Sequence, residues 1–172
     1  SMVSLPPFEL SPQASLDAVD AAIEAANAKL NAIAKLKASE MTFVNTIGAL
    51  DDMSFELSLV ANRTYMLKET SENAEHRSKA TEAIKKVDEW SVGLDYREDV
   101  YRVVNAFADT NPDLEDEAKR LLEQTLRDYR RAGLHLVKAE RDEVEALRKE
   151  LAAATTEFRT NITKAKKSIK FT

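Results

Sequence analysis

The feature that most constrains this chain is a spacing. From Leu16 onward, apolar residues recur at alternating intervals of three and four: Leu16, Val19, Ile23, Ala26, Leu30 and Ile33. Such a series lies along one face of an α-helix, whereas one face of a strand repeats every second residue. The rhythm returns towards the other end, in Val144, Leu147, Leu151, Ala154, Phe158 and Ile162. Two long, heptad-like amphipathic helices are therefore expected. The breakers agree with them. The 172 residues include only 3 Gly and 4 Pro, too few turn formers for a many-stranded β protein.

The pattern divides the chain into about six helices, and the expected fold is all-α, an elongated antiparallel helical bundle. Residues 1–13 contain proline and have no period, so they read as an extended lead-in; residues 14–172 read as a single helical domain. Ser15 is the expected cap of the first helix, which runs to about Ser39. Thr42 caps the second, with Phe43, Ile47 and Leu50 on one face and a break or turn near Asp51–Asp52. After it, either Phe55, Leu59 and Asn62 or Leu57, Val60 and Ala61 resume the inner face. Ser71 is the expected cap of a third helix with the stripe Ala74, Thr81, Ile84, Val87 and Trp90. A shorter helix over Tyr96–Phe107 turns Val100, Val103, Val104 and Phe107 inward. Asn111–Pro112 reads as a cap followed by proline at the first helical position, ahead of an inner face of Leu114, Ala118, Leu121, Leu122, Thr125 and Tyr129. Gly133 fits the left-handed position after a helix end. The last helix is expected from about Lys138 to Lys166, with Glu145 and Lys149 paired one turn apart.

Charge and composition then exclude functions. The net charge is -5 with acids and bases interspersed, whereas nucleic acid calls for a strongly basic face. No cysteine is present, which removes disulfides, thiol catalysis and cysteine-ligated metals. No apolar run approaches the length of a membrane span, and Ser1–Leu10 lacks the basic and apolar regions of a secretory leader. The expected location is cytoplasmic, with a mitochondrial compartment as the alternative. Asn62-Arg63-Thr64 and Asn161-Ile162-Thr163 match the glycosylation sequon and read as chance without such a leader.

Candidate chemistry is sparse. The only histidines are His76 and His135, and neither begins the His-Glu-x-x-His pattern that sets two imidazoles one turn apart on a zinc ion. Both read as exposed or locally bonded. Asp51–Asp52, the group Asp95, Glu98 and Asp99, and the run Asp113–Glu117 offer carboxylates, but each falls at an expected helix start or turn, where acids suit the helix dipole. The basic tail of Arg159, Lys164, Lys166, Lys167 and Lys170 suits a helix C-terminus for the same reason. No phosphate-binding glycine loop or Gly-x-Ser-x-Gly elbow occurs. No catalytic, cofactor-binding or metal-ligating residue is assigned in this chain.

Several blocks resemble the thimet oligopeptidase and neurolysin family of zinc metallopeptidases. They are Glu82-Ala83-Ile84-Lys85-Lys86-Val87, Tyr96-Arg97-Glu98-Asp99-Val100-Tyr101 and Glu117-Ala118-Lys119-Arg120-Leu121-Leu122-Glu123. Then come Tyr129-Arg130-Arg131-Ala132-Gly133-Leu134-His135-Leu136 and Glu157-Phe158-Arg159-Thr160-Asn161-Ile162. Weaker similarity reaches back through Thr42–Asp52, and the first 40 residues match only in helical character. Val137 departs from the family, which usually has proline there. The resemblance implies the N-terminal, non-catalytic domain of a zinc endopeptidase acting on short peptides, forming part of the wall of a narrow substrate channel. Zinc and its ligands would belong to a C-terminal half beyond Thr172. The implied partners are that catalytic half and, for the whole protein, short peptides; neither nucleic acid nor a membrane is expected. Self-association through the long helices, or else fraying of the C-terminal turns, is expected if that half is missing. The alternative is a free-standing helical interaction module without enzymatic activity.

Overall fold

Ser11 starts the first helix. Its backbone is extended and its hydroxyl accepts a 3.3 Å hydrogen bond from the Ala14 N–H. Pro12, already lacking an N–H, takes the first helical position. The structure, a computed structural model, describes residues 11–164. Helix α1 (Pro12–Ala34) thus begins earlier than its periodicity alone indicated. Ser15 lies inside its first turn and is buried rather than capping it. Residues 1–10 of the expected lead-in lie outside the described residues.

α1 ends at Ala34, and the chain makes a 3-10 turn over Ala38–Glu40 instead of continuing in α-helix to Ser39. Thr42 does cap the next helical segment. Its hydroxyl accepts from the Asn45 N–H at 3.2 Å, and the Asn45 side chain accepts from the Thr42 N–H at 2.8 Å. The turn after the cap is wide. Residues Val44–Gly48 form a π turn, with the Gly48 N–H bonded to the Phe43 carbonyl at 2.9 Å. A Cβ on Gly48 would stand 3.2 Å from that same carbonyl oxygen, so the close approach favours glycine.

Helix α2 (Ala49–Thr70) continues directly, and Asp51–Asp52 form its first turn instead of a break. The irregularity lies upstream, where the π turn shifts the helical register. Leu50, Met53, Leu57, Thr64 and Leu67 face inward, while Phe55 and Leu59 are exposed. The second of the two expected registers is the observed one.

Asn73, not Ser71, caps helix α3 (Ala74–Leu94), accepting from the Glu75 and His76 N–H groups. Ser71 instead closes α2. The inner face of α3 is His76, Ala80 and Ala83, with Val87 packed at its edge; Ala74 and Thr81 are exposed. Of the expected stripe, Val87 packs here and Ile84 and Trp90 are half-buried; Ala74 and Thr81 miss the face, whose close contact is marked by two alanines the pattern passed over.

These three helices pack against one another. Leu16 and Val19 of α1 meet Ala83 of α3, with Ile23, Val60 and Val87 around them. Leu30, Ile33, Ile47 and Met53 are among the most deeply buried side chains. Polar links join the same helices: Lys86 to Asp20 at 2.7 Å, Trp90 Nε1 to Asn27 at 2.8 Å and Lys29 to Glu56 at 2.6 Å. Exposed ion pairs of this kind contribute about 0–1 kcal/mol each, so apolar burial contributes more to holding the three helices together.

Helix α4 (Glu98–Asp109) buries Val100, Val103, Val104 and Phe107 as expected, against α1 and the π turn. Asn111 adopts a left-handed φ of 48° just beyond its end, a conformation asparagine tolerates better than most residues. It therefore terminates α4 rather than capping the next helix, and α5 (Asp116–Arg131) starts only at Asp116. Leu122 and Tyr129 are its buried residues; Leu121 and Thr125 are half-buried.

The described residues fall into two compact units, dividing after Tyr129. In the second unit Gly133 has a φ of +90°, as expected for a left-handed helix stop. Helix α6 (Lys138–Lys164) comes next, and Glu145 and Lys149 pair at 2.6 Å. The last expected turn, to Lys166, and the basic residues Lys167 and Lys170 lie outside the described residues. Among the described residues there is no strand.

Candidate functional site

The two histidines have different surroundings. His76 is buried, and its Nε2 lies 3.2 Å from the hydroxyl of Ser15, tying α3 to the first turn of α1. His135 is exposed. The carboxylates expected at helix starts are found there: Asp51 and Asp52 in the first turn of α2, Glu98 and Asp99 in that of α4, and Asp116 and Glu117 in that of α5. Among the described residues, no three of His, Cys, Asp or Glu gather closely enough to hold a metal ion. These residues do not fit a zinc centre.

Asp99 is held by a specific partner. Arg97 donates two 2.8 Å hydrogen bonds to its two carboxylate oxygens and a third, at 3.0 Å, to Asn31 on α1. The hydrogen bonds from this guanidinium hold the Asp99 carboxyl below the usual carboxylate range.

One concavity lies within the first unit. It is a cleft of about 270 Å³ lined by the π turn, α2, the end of α3 and α5. Its apolar surface includes Ile47, Leu50, Met53, Leu94 and Leu121. Its polar groups include the carboxylates of Asp51, Asp95 and Asp128, and no lysine or arginine is among its lining residues. Tyr129 also lines it and is only 8% exposed. Its ring packs on Tyr101 at 5.5 Å between centroids, while no hydrogen bond joins its hydroxyl to another described group. Burial pushes the Tyr129 pKa up to about 12; the charge of Asp95 adds to this and that of Arg97 opposes it. The phenol therefore stays neutral at physiological pH and offers a lone pair and a proton. Reading along the chain did not find this site, because Asp51, Asp95 and Asp128 come from three separate elements and each reads locally as a helix-end or surface acid.

A second groove, of about 350 Å³, lies between α1 and α2. Ala14, Ala18, Leu59, Val60 and Leu67 make it mostly apolar, with Arg63 its one charged lining residue. No helix among the described residues is long and apolar enough to cross a membrane.

Comparison with known proteins places these elements in context. No family model matches the chain. It is 27% identical over 164 residues to the Arabidopsis thaliana protein named "Probable thimet oligopeptidase", covering 95% of this chain and 23% of that protein. The "Thimet-like oligopeptidase" of Dictyostelium discoideum is 24% identical over 149 residues, 83% of this chain and 22% of that protein. "Saccharolysin" of Saccharomyces cerevisiae is 26% identical over 121 residues, 68% of this chain and 17% of that protein. A match over 95% of the chain brings much of α1 into the alignment, further than the blocks legible by eye. The chain is homologous to the thimet-type oligopeptidases over most of its own length, and it spans about a fifth of theirs.

Proposed function

We propose that this chain is a non-catalytic helical domain of a thimet oligopeptidase-like zinc metalloendopeptidase, and that it forms part of the wall limiting the active site to short peptides. The observation that carries this reading is the pairing of two coverages. The alignment takes in 95% of this chain but only 23% of the Arabidopsis protein. The acids and histidines among the described residues do not make a metal site, so in this reading zinc, its ligands and the glutamate base that activates water lie in chain beyond Thr172. The helices supply shape: a rigid, close-packed wall excludes folded substrates and admits extended ones.

The test has two parts. The 172-residue chain, supplied with zinc and short fluorogenic peptides, is expected to give no chelator-sensitive turnover. The native reading frame is expected to continue to a His-Glu-x-x-His helix. Turnover by the purified chain would overturn the assignment of a non-catalytic role. A stop codon after Thr172 would replace the peptidase reading with that of a free-standing interaction module.

A further inference from the structure

The groove between α1 and α2 suits an apolar segment. Its two hydroxyls are already engaged, Ser15 with His76 at 3.2 Å and Thr64 with the Val60 carbonyl at 2.8 Å. Ala14 and Ala18 keep one side low, and Leu59 stands on the other with 56% of its surface exposed. Phe55, one turn along α2, is 62% exposed and extends the same apolar surface. A band of this kind along a cavity of about 350 Å³ marks a surface that packs against something. Arg63 is its one charged lining residue.

Position and charge name the occupant. Ala14 and Ala18 lie in the first two turns of α1, so the chain that enters this helix at Ser11 does so beside the groove. The ten residues before Ser11, Ser-Met-Val-Ser-Leu-Pro-Pro-Phe-Glu-Leu, are mostly apolar, and Glu9 is their only charged side chain. Ser11 and Ala18 are about 10 Å apart along the helix, a distance that three or four extended residues span. Pro6 and Pro7 favour an extended form whose backbone is satisfied by water. In an extended chain Phe8 and Leu10 point one way and Glu9 the other.

We propose that residues 1–10 fold back onto this groove, with Phe8 and Leu10 covering the apolar surface between Ala18 and Leu59 and Glu9 meeting Arg63 at the rim. The tether favours this occupant, because a segment joined directly to α1 is held beside the groove at an effective concentration of roughly millimolar. One acid in the segment and one base in the groove fix its register. The proposal is independent of the peptidase reading.

The experiment uses the absence of cysteine: Ser4→Cys carries a single nitroxide label on the 172-residue chain. Paramagnetic broadening of amide resonances is expected along the groove, at Ala18, Leu59 and Arg63. Phe8→Ser, which leaves α1, α2 and α3 unaltered in sequence, is expected to reduce that broadening severalfold. Glu9→Lys is expected to reduce it as well, and Glu9→Lys combined with Arg63→Glu to restore most of it. Broadening unchanged by Phe8→Ser, or as strong on α5 as along the groove, overturns the docking. Broadening passed between molecules, in an equal mixture of spin-labelled and isotope-labelled chains, gives the groove to a second copy and overturns the tethered occupant. A charge swap that restores nothing overturns the Glu9–Arg63 contact.

Discussion

His76 and Ser15 show what single residues contribute. Each is buried, and each gives the other a hydrogen-bond partner across the α1–α3 contact. Ser15→Ala leaves a buried imidazole nitrogen without that partner and is expected to cost about 1–3 kcal/mol, read as a lowered urea midpoint with an unchanged slope. A midpoint equal to wild type would mean that water reaches the ring. Asp99 gives a pH signature instead. Its pKa is depressed in the folded state by Arg97, so its contribution is full above the unfolded value of about 3.9 and is lost as pH falls through the lower folded value. The pair is partly exposed, with side-chain exposures of 24% for Arg97 and 43% for Asp99. Solvent screening therefore limits the contribution to about 1 kcal/mol or less. Asp99→Asn is expected to be less stable than wild type at pH 7 and to converge with it as pH drops below 4. A gap that stayed constant across that range would assign the loss to packing.

At the scale of elements, α5 supplies the sharpest test. Its sequence places Leu121 and Leu122 on the inner face together, but Leu122 is the one that is buried and Leu121 lines the cleft. Leu122→Ala is expected to cost about 2–5 kcal/mol in thermal or chemical unfolding, with Leu121→Ala costing distinctly less; the reverse order would rotate the helix. The stop after α5 is equally testable. Gly133 stands at a φ of +90°, and a Cβ there would lie 3.4 Å from Val144. Gly133→Val is expected to destabilise the α5–α6 turn by about 1–2 kcal/mol or more, seen as faster amide exchange around residues 131–137. Unchanged exchange would mean that the backbone can adopt another turn. Such single-residue punctuation was legible in the sequence: Gly133, Thr42 and the four buried residues of α4 all stand where pattern reading put them. What was not legible depended on competition between neighbours. Ser11 with Pro12 outranked Ser15 as a cap, Asn73 outranked Ser71, and Asn111 ended a helix instead of starting one. The face of α3 was found at Val87 and Trp90 but missed at its first half, because Ala80 and Ala83 are small and carry little weight in a hydrophobic pattern. The cleft could not be read at all, since its acids meet only through the packing of α2, α3 and α5.

For the molecule as a whole, the open question is what covers α6. Its stripe runs over Val144, Leu147, Leu151, Ala154, Phe158 and Ile162, and four of these are exposed large apolar residues: Leu147 at 57%, Leu151 and Phe158 at 66%, and Ile162 at 58%. A helix of 27 residues is about 40 Å long, so the stripe is extensive. Isolated exposed leucines are ordinary, but a continuous stripe at heptad-like spacing marks a surface that packs against another. The thimet-type relatives contain several times more chain than the alignment uses, and in a longer protein that chain would be the natural cover. In the 172-residue chain the cover nearest to hand is the same stripe on a second copy. Light scattering over a concentration series is therefore expected to show a rise in mean mass. Leu151→Glu combined with Phe158→Glu, which puts two charges on exposed positions of the stripe, is expected to abolish that rise while leaving far-ultraviolet helicity nearly unchanged. A wild-type chain that stays monomeric at every concentration, with α6 amides strongly protected from exchange, would mean that the stripe is buried within one molecule. A self-sufficient domain of that kind would favour the interaction-module reading over the peptidase-domain reading.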